Sequence, residues 1–301
     1  MTEPWPALPI TEWEDTFDTL HMYAQIVGKV RLALSPMMNH WWQVPLYLTP
    51  RGLTTSPIPY RGGTFLIDFD VFDHALVVQT CQGDTRVLPL GGAVRDFYAH
   101  TMHALDSLGI EVTIWTTPVE VVDPIPFEKD DTHATYNPEH AHRYWTILRD
   151  VDTVLKEFRA RFTGKSSQVH FFWGAFDLAH TRFSGRPAPP RPDADAITRF
   201  AYNAEQTSVG IWPGGTWMDG THVDGPQFFA YAFPEPDGYR ASAIAPAAAR
   251  FDSTLGEFVL DYADVRTASD PRQMILDFAQ STYEAGARLQ GWPLADLELQ
   301  T

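Results

Sequence analysis

Between residues 63 and 90 the chain reads GTFLIDFDVFDHALVVQTCQGDTRVLPL, three β-rich runs separated by only a few turn-forming residues. Such gaps leave no room for a crossover helix, so GTFLIDFDV, HALVVQT and TRVLPL can pair only antiparallel, as a meander. Further short aromatic or β-branched runs stand at NHWWQVPLYLT, QVHFFW, GPQFFAYAF and GEFVLDY. Four helices with 3.6-residue periodicity interrupt them, so the expected class is α+β with antiparallel sheet in two halves.

The first helix is expected in TEWEDTFDTLHMYAQIVGK, where Trp13, Phe17, Leu20, Ala24 and Val27 share one face. Thr11 and Glu14 have capping-box spacing, Gly28 reads as the stop, and VRLAL reads as the next strand, with Lys29 and Arg31 on one side of it. The second helix carries Val94, Phe97, Thr101, Leu105 and Leu108, ends at Gly109 and leads into a strand IEVTIW. Residues 117–137 form a polar, proline-marked connector. Asn137 and Pro138 then open a long helix that runs to about Gly164. After a proline-rich loop at 185–194 and more strands, Asp270 and Pro271 start the last helix. This reads as one composite domain with lobes 1–116 and 165–301. GTFLIDFDV and GEFVLDYADV look alike, as do NHWW and GIWPGGTW, which raises an internal duplication. Chance likeness among aromatic strands explains the same facts.

With 38 acids against 22 bases the net charge is −16, which argues against nucleic acid and anionic membrane surfaces as partners. The one cysteine, Cys81, has no internal disulfide partner and reads as a bland thiol. No basic-then-apolar leader and no 18-residue apolar run stands in the chain, so a cytoplasmic protein is expected.

FTGKSS resembles the tail of a phosphate loop, but Arg159 occupies the first glycine position and the helix precedes the segment. Gly164 fits better as a helix cap, and Gly214–Gly215 as a turn. In DDTHATYNPEHAHRYW, His140 and His142 diverge on a helix, so Asp130, Asp131, His133 and these histidines read as a solvated helix start rather than a metal centre.

HFFWGAFDLAHTRFSGRPAPPRP, at 170–192, has the strongest functional content. A metal triad of His170, Asp177 and His180 needs a particular bend, and a core histidine explains His170 alone as well. Between 156 and 199 stand eight bases (Lys156, Arg159, Arg161, Lys165, Arg182, Arg186, Arg191, Arg199) and four acids (Glu157, Asp177, Asp193, Asp195). Arg182 and Arg186 flank FSG, a turn that can aim both guanidiniums at one anion. Salt bridging to surface acids is the plain alternative. In the first half, Asp18, His21 and Gln25 fit a solvated helix face. His40, between Asn39 and the tryptophans Trp41 and Trp42, suits a pocket wall, and Glu205, just before another tryptophan turn, is a candidate acid partner for one of these bases.

At NHWWQVPLYLTPRGLTTSPIPY and HFFWGAFDLAHTRFSGRPAP the chain resembles an uncharacterised bacterial family, a domain of unknown function (family 5996), over nearly its whole length. The resemblance brings no activity or cofactor. It implies that His21, Gln25, Lys29, Arg31, His40, Trp41, Trp42, His170, Trp173, Asp177, Thr181, Arg182, Arg186, Glu205 and Trp212 belong to recurring motifs, whereas His180 departs from an apolar position.

The expected function is binding, with turnover open, of a small anionic or polar metabolite between the halves. Arg182 and Arg186 would hold the anion, with Trp41, Trp42, Trp173 and Trp212 as walls and His21, Gln25, Lys29 and Arg31 nearby. His170 or His40 would act as acid or base beside Glu205 or Asp177. A metal-dependent enzyme using His170 and Asp177, and a non-catalytic binding or scaffold protein, are the alternatives. The sequence leaves the cofactor and the oligomeric state unknown.

Overall fold

The computed structural model describes residues 4–216 and 220–299. A long helix, α1 (Ile10–Leu34), opens the chain. Then come β1 (Tyr47–Thr49), β2 (Gly52–Thr54), β3 (Ile58–Tyr60), β4 (Gly63–Asp70), β5 (Ala75–Thr80), β6 (Thr85–Pro89) and α2 (Val94–Ser107). After an irregular stretch, α3 (Pro138–Ala160) leads to β7 (His170–Phe172), β8 (Asp177–Pro187), α4 (Ala196–Ala201), β9 (Ala204–Trp212), and a small ribbon of β10 (Gly215–Thr216) and β11 (His222–Val223). The chain continues through β12 (Gln227–Phe233), β13 (Arg250–Asp252), β14 (Glu257–Asp261), α5 (Tyr262–Thr267), α6 (Pro271–Leu289) and α7 (Leu294–Leu297). Two six-stranded antiparallel sheets result, so the class is α+β. The first has the order β1-β2-β4-β5-β6 with β3 also on β4, and the second the order β13-β14-β12-β9-β8-β7.

The sheets meet where Leu46 and Phe171 exchange backbone hydrogen bonds of 2.9 and 3.0 Å. The order of elements repeats: long helix, antiparallel strands, closing helix. In that repeat α3 stands at the head of the second half, packing on α6 and β8 as well as on α1. Of the NHWW and GIWPGGTW pair, Trp217 lies outside the described residues. No helix among the described residues is long and apolar enough to cross a membrane.

Several boundaries follow the expected local chemistry. The Asn137 side chain accepts the amide protons of Glu139 and His140 at the start of α3, and that of Asp270 accepts from Gln273 at the start of α6. Gly214 and Gly215 both have positive φ in the WPGG turn.

Five expectations are corrected. α1 starts at Ile10 with Pro9 as N-cap and no side-chain cap, so Thr11 and Glu14 make no capping box. Gly28 lies inside α1, and VRLAL is its last turns. A Cβ at Gly28 would lie 2.4 Å from the Trp173 indole, so the glycine is there to admit a tryptophan, not to end a helix. NHWW is a short 3-10 turn with His40 and Trp41 at positive φ, not a strand. IEVTIW forms no strand. Gly164 lacks positive φ and instead packs on Phe162 and Leu297.

Every residue from His21 to Arg31 is buried, which makes α1 a central rather than a surface helix. Tyr23 stacks on Phe97 of α2 at 3.8 Å, and Trp13 packs on Tyr144 of α3 at 4.8 Å. Each such buried aromatic contributes about 2 to 3 kcal/mol relative to exposure.

Candidate functional site

His21 and Gln25 of α1 are buried and Asp18 is half-buried, which corrects the solvated face expected for the three. His21 Nε2 donates to the Gly174 carbonyl at 2.7 Å, so its lone pair resides on Nδ1. Gln25 Nε2 donates to the Val119 carbonyl at 2.7 Å, and Gln25 Oε1 accepts the Val119 amide at 2.9 Å. Lys29 Nζ donates to the carbonyls of Trp115, at 3.0 Å, and Thr117. At intervals of four, these three side chains form one stripe along the helix. Gln25 and Lys29 thus bond the backbone of Trp115, Thr117 and Val119 as a neighbouring strand would. Burial lowers the Lys29 pKa to about 8 and that of His21 to about 4. Arg31 Nε donates to the Gln43 carbonyl at 2.7 Å, and its guanidinium lies over Tyr47.

The WGAF turn between β7 and β8 docks on the same helix. Trp173 lies over Gly28 and donates its indole proton to the Val44 carbonyl at 2.9 Å. Phe176 packs against Phe17, His21 and Tyr144. Trp173 is therefore a packing residue.

The remaining expected residues divide into separate groups. His170, 1 % exposed, sits among Trp42, Tyr47 and Phe172, and burial lowers its pKa to about 3. His40 donates from Nδ1 to the Ala201 carbonyl at 3.1 Å and accepts at Nε2 from Lys165 at 2.6 Å. Trp42 and Phe183 flank its ring, and Trp41 is half-buried in the same turn. Glu205 accepts from Ser184 at 2.9 Å and from Arg186 Nε at 2.8 Å, so it is no orienting partner for either histidine. Asp177 lies in a different surrounding, where burial and the neighbouring Glu120 and Glu257 raise its pKa well above the carboxylate range.

The expected anion clamp is not assembled. Arg182 is 1 % exposed, its guanidinium 3.4 Å from the Phe158 ring centre and 4.4 Å from that of Tyr283, with one bond to the Phe158 carbonyl. Arg186 pairs with Glu205 and donates to the Gln290 carbonyl at 2.6 Å. The first faces the core beneath α3 and α6, and the second is already neutralised. His170 and Asp177 have no neighbour in common that completes a metal set. Among the described residues no three His, Cys, Asp or Glu side chains converge as ligands.

With both long motifs thus placed, the comparison with protein families is decisive: a family model matches residues 5–299. The chain belongs to a family of unknown function (DUF5996). No curated protein and no solved structure matches it.

What this member of the family does bring together is an acidic cleft of about 330 Å³ between α1, residues 120–125 and the end of β9. Glu14, Asp18, His21, Glu120, Asp123 and His133 line it, with Phe17 and Trp212 as aromatic walls. His133 Nδ1 donates to Asp130 Oδ2 at 2.7 Å. Asp130 is fully buried, and its other oxygen accepts the amides of Thr132 and His133 at 3.1 and 3.0 Å. The segment expected to be a solvated helix start thus holds a buried Asp130 that fixes the His133 ring. Burial raises the Asp18 pKa to about 6, against the pull of His133, and also raises that of Glu120. The spacing of Asp130 and His133 was visible in DDTHATYN, but Asp18 of the facing helix α1 is 112 residues before Asp130 in sequence.

Proposed function

We propose that the protein binds a small polar molecule in this cleft and acts on it by acid–base chemistry. The observation that carries the reading is the Asp130–His133 pair opening on the same cleft as Asp18. Asp130 fixes the imidazole tautomer, leaving Nε2 as the base toward a bound hydroxyl or amine. Asp18, with its pKa raised to about 6, is the matched acid on the facing helix. Four lining carboxyl groups, Glu14, Asp18, Glu120 and Asp123, beside the rings of Phe17 and Trp212 favour a ligand with positive charge or several hydroxyls. They disfavour the anion that the arginine count had indicated.

The test is a thermal-shift screen of amines, amino sugars, polyols and inorganic or carboxylate anions against the wild type, Asp18→Asn and His133→Ala. An amine or polyol at 100 times its Kd stabilises the wild type by about 2.7 kcal/mol, a rise of several degrees that both variants lose while keeping their unliganded Tm. A response to anions alone, or one that survives both substitutions, refutes the reading. Turnover of any hit should decline as the pH climbs through about 6, where Asp18 gives up its proton.

A further inference from the structure

The face of the second sheet that turns away from α6 carries an arrangement that core packing does not ask for. On β9 this face holds Gln206, Ser208, Gly210 and Trp212, and on β12 it holds Phe229, Tyr231 and Phe233. Phe229 is paired with Gly210 and Tyr231 with Ser208. A Cβ on Gly210 would meet Phe229 Cζ at 2.5 Å, so the Phe229 ring occupies the space above the glycine. The Tyr231 ring lies 6.5 Å from it with only 9° between their planes. Both rings are half-buried, so part of each remains accessible. The result is a tray of two parallel rings.

Hydroxyl and carboxyl groups surround the tray. Tyr202 Oη and Tyr231 Oη are 3.1 Å apart, and Thr181 Oγ1 and Ser208 Oγ 3.0 Å apart. Asp177 stands at the head of β8 and Glu257 at the head of β14, both close enough to Tyr202 to bear on its ionisation. Trp212, two positions beyond Gly210 on the same face of β9, also lines the acidic cleft. The tray and the cleft are thus neighbours along one strand.

We infer that this tray is a binding site for uncharged saccharides, the C–H face of a sugar ring lying on Phe229 and Tyr231 and its hydroxyls meeting Ser208, Thr181, Tyr202 and Glu257. Flat aromatic surface accepts any ring with an apolar face, and the acids choose among such rings. Their carboxyl groups hydrogen-bond hydroxyls, and the net charge of −16 on the whole chain disfavours the phosphates of nucleotides. The inference stands apart from the acid–base reading of the cleft, since it uses none of Asp18, Asp130 or His133.

The test is calorimetric titration of the full chain with maltopentaose, cellopentaose and chitopentaose, with adenosine as a flat ring of another class. At least one oligosaccharide should bind with a Kd below about 1 mM. Phe229→Leu and Tyr231→Leu should each weaken it about tenfold, Tyr231→Phe should keep most of the affinity, and Val87→Thr on the exposed face of the first sheet should change nothing. Phe229→Leu nearly conserves volume, so it decides the matter if Tyr231→Leu fails to fold. The inference is overturned if none of the three sugars binds the wild type, if adenosine alone binds, or if binding is unchanged in Phe229→Leu.

Discussion

The two six-stranded sheets are made by the same antiparallel rule and differ in what covers them. In the first, β4 alternates buried Phe65, Ile67 and Phe69 with half-exposed Leu66, Asp68 and Asp70, and β6 leaves Thr85, Val87 and Pro89 exposed. In the second, β9 is buried without a break from Gln206 to Trp212, although it carries Gln206, Thr207 and Ser208. A sheet with one wet face can leave its polar side chains to water. A strand buried on both faces must give each of its polar groups a partner. The difference separates a sheet with a wet face from one whose central strand has no water to meet.

Three substitutions break or sharpen that contrast. The largest effect is expected for Gly210→Ala, whose Cβ would sit 2.5 Å from both the Leu178 carbonyl and the Phe229 ring. It should cost about 3 kcal/mol in denaturant unfolding, and a loss under 1 kcal/mol would show that the second sheet is not closely packed there. Next is His170→Phe. His170 is held neutral by burial, its pKa lowered from 6.5 to about 3, so the unfolded chain binds a proton that the fold excludes. Its contribution is full above about 6.5 and fades as the pH falls toward 3. Between pH 6 and 4 the wild type should lose about 2 kcal/mol more than the phenylalanine variant, and parallel losses would contradict the assignment. The smallest effect belongs to Val87→Thr on the first sheet, 63 % exposed. Its unfolding free energy should stay within about 0.5 kcal/mol of wild type.

The fold was largely legible because its evidence is local. Asn137–Pro138 and Asp270–Pro271 mark helix starts through their own side chains and rings, and the 63–90 meander follows from turn length. The errors gather where a distant group overrides the local signal. Gly28 looks like a stop until Trp173, 145 residues later, is laid on it, and Gly164 looks like a cap until Leu297 arrives. The site was legible in part. Trp212 and His21 do line the cleft, whereas Arg182, the most conspicuous candidate, is enclosed by Phe158, Phe162 and Tyr283. A count of bases in sequence cannot tell a guanidinium that faces a ligand from one already surrounded by rings.

By itself the sequence determined the class, the antiparallel pairing, most element boundaries and the family, because periodicity, turn length and motif are properties of neighbouring residues. Only the tertiary structure decided that α1 is central, that Lys29 and Gln25 bond the backbone of 115–119, and that His133, held by the buried Asp130, lines the same cleft as Asp18. Those outcomes depend on which buried polar groups meet which partners. Burial in turn depends on the whole chain closing around them.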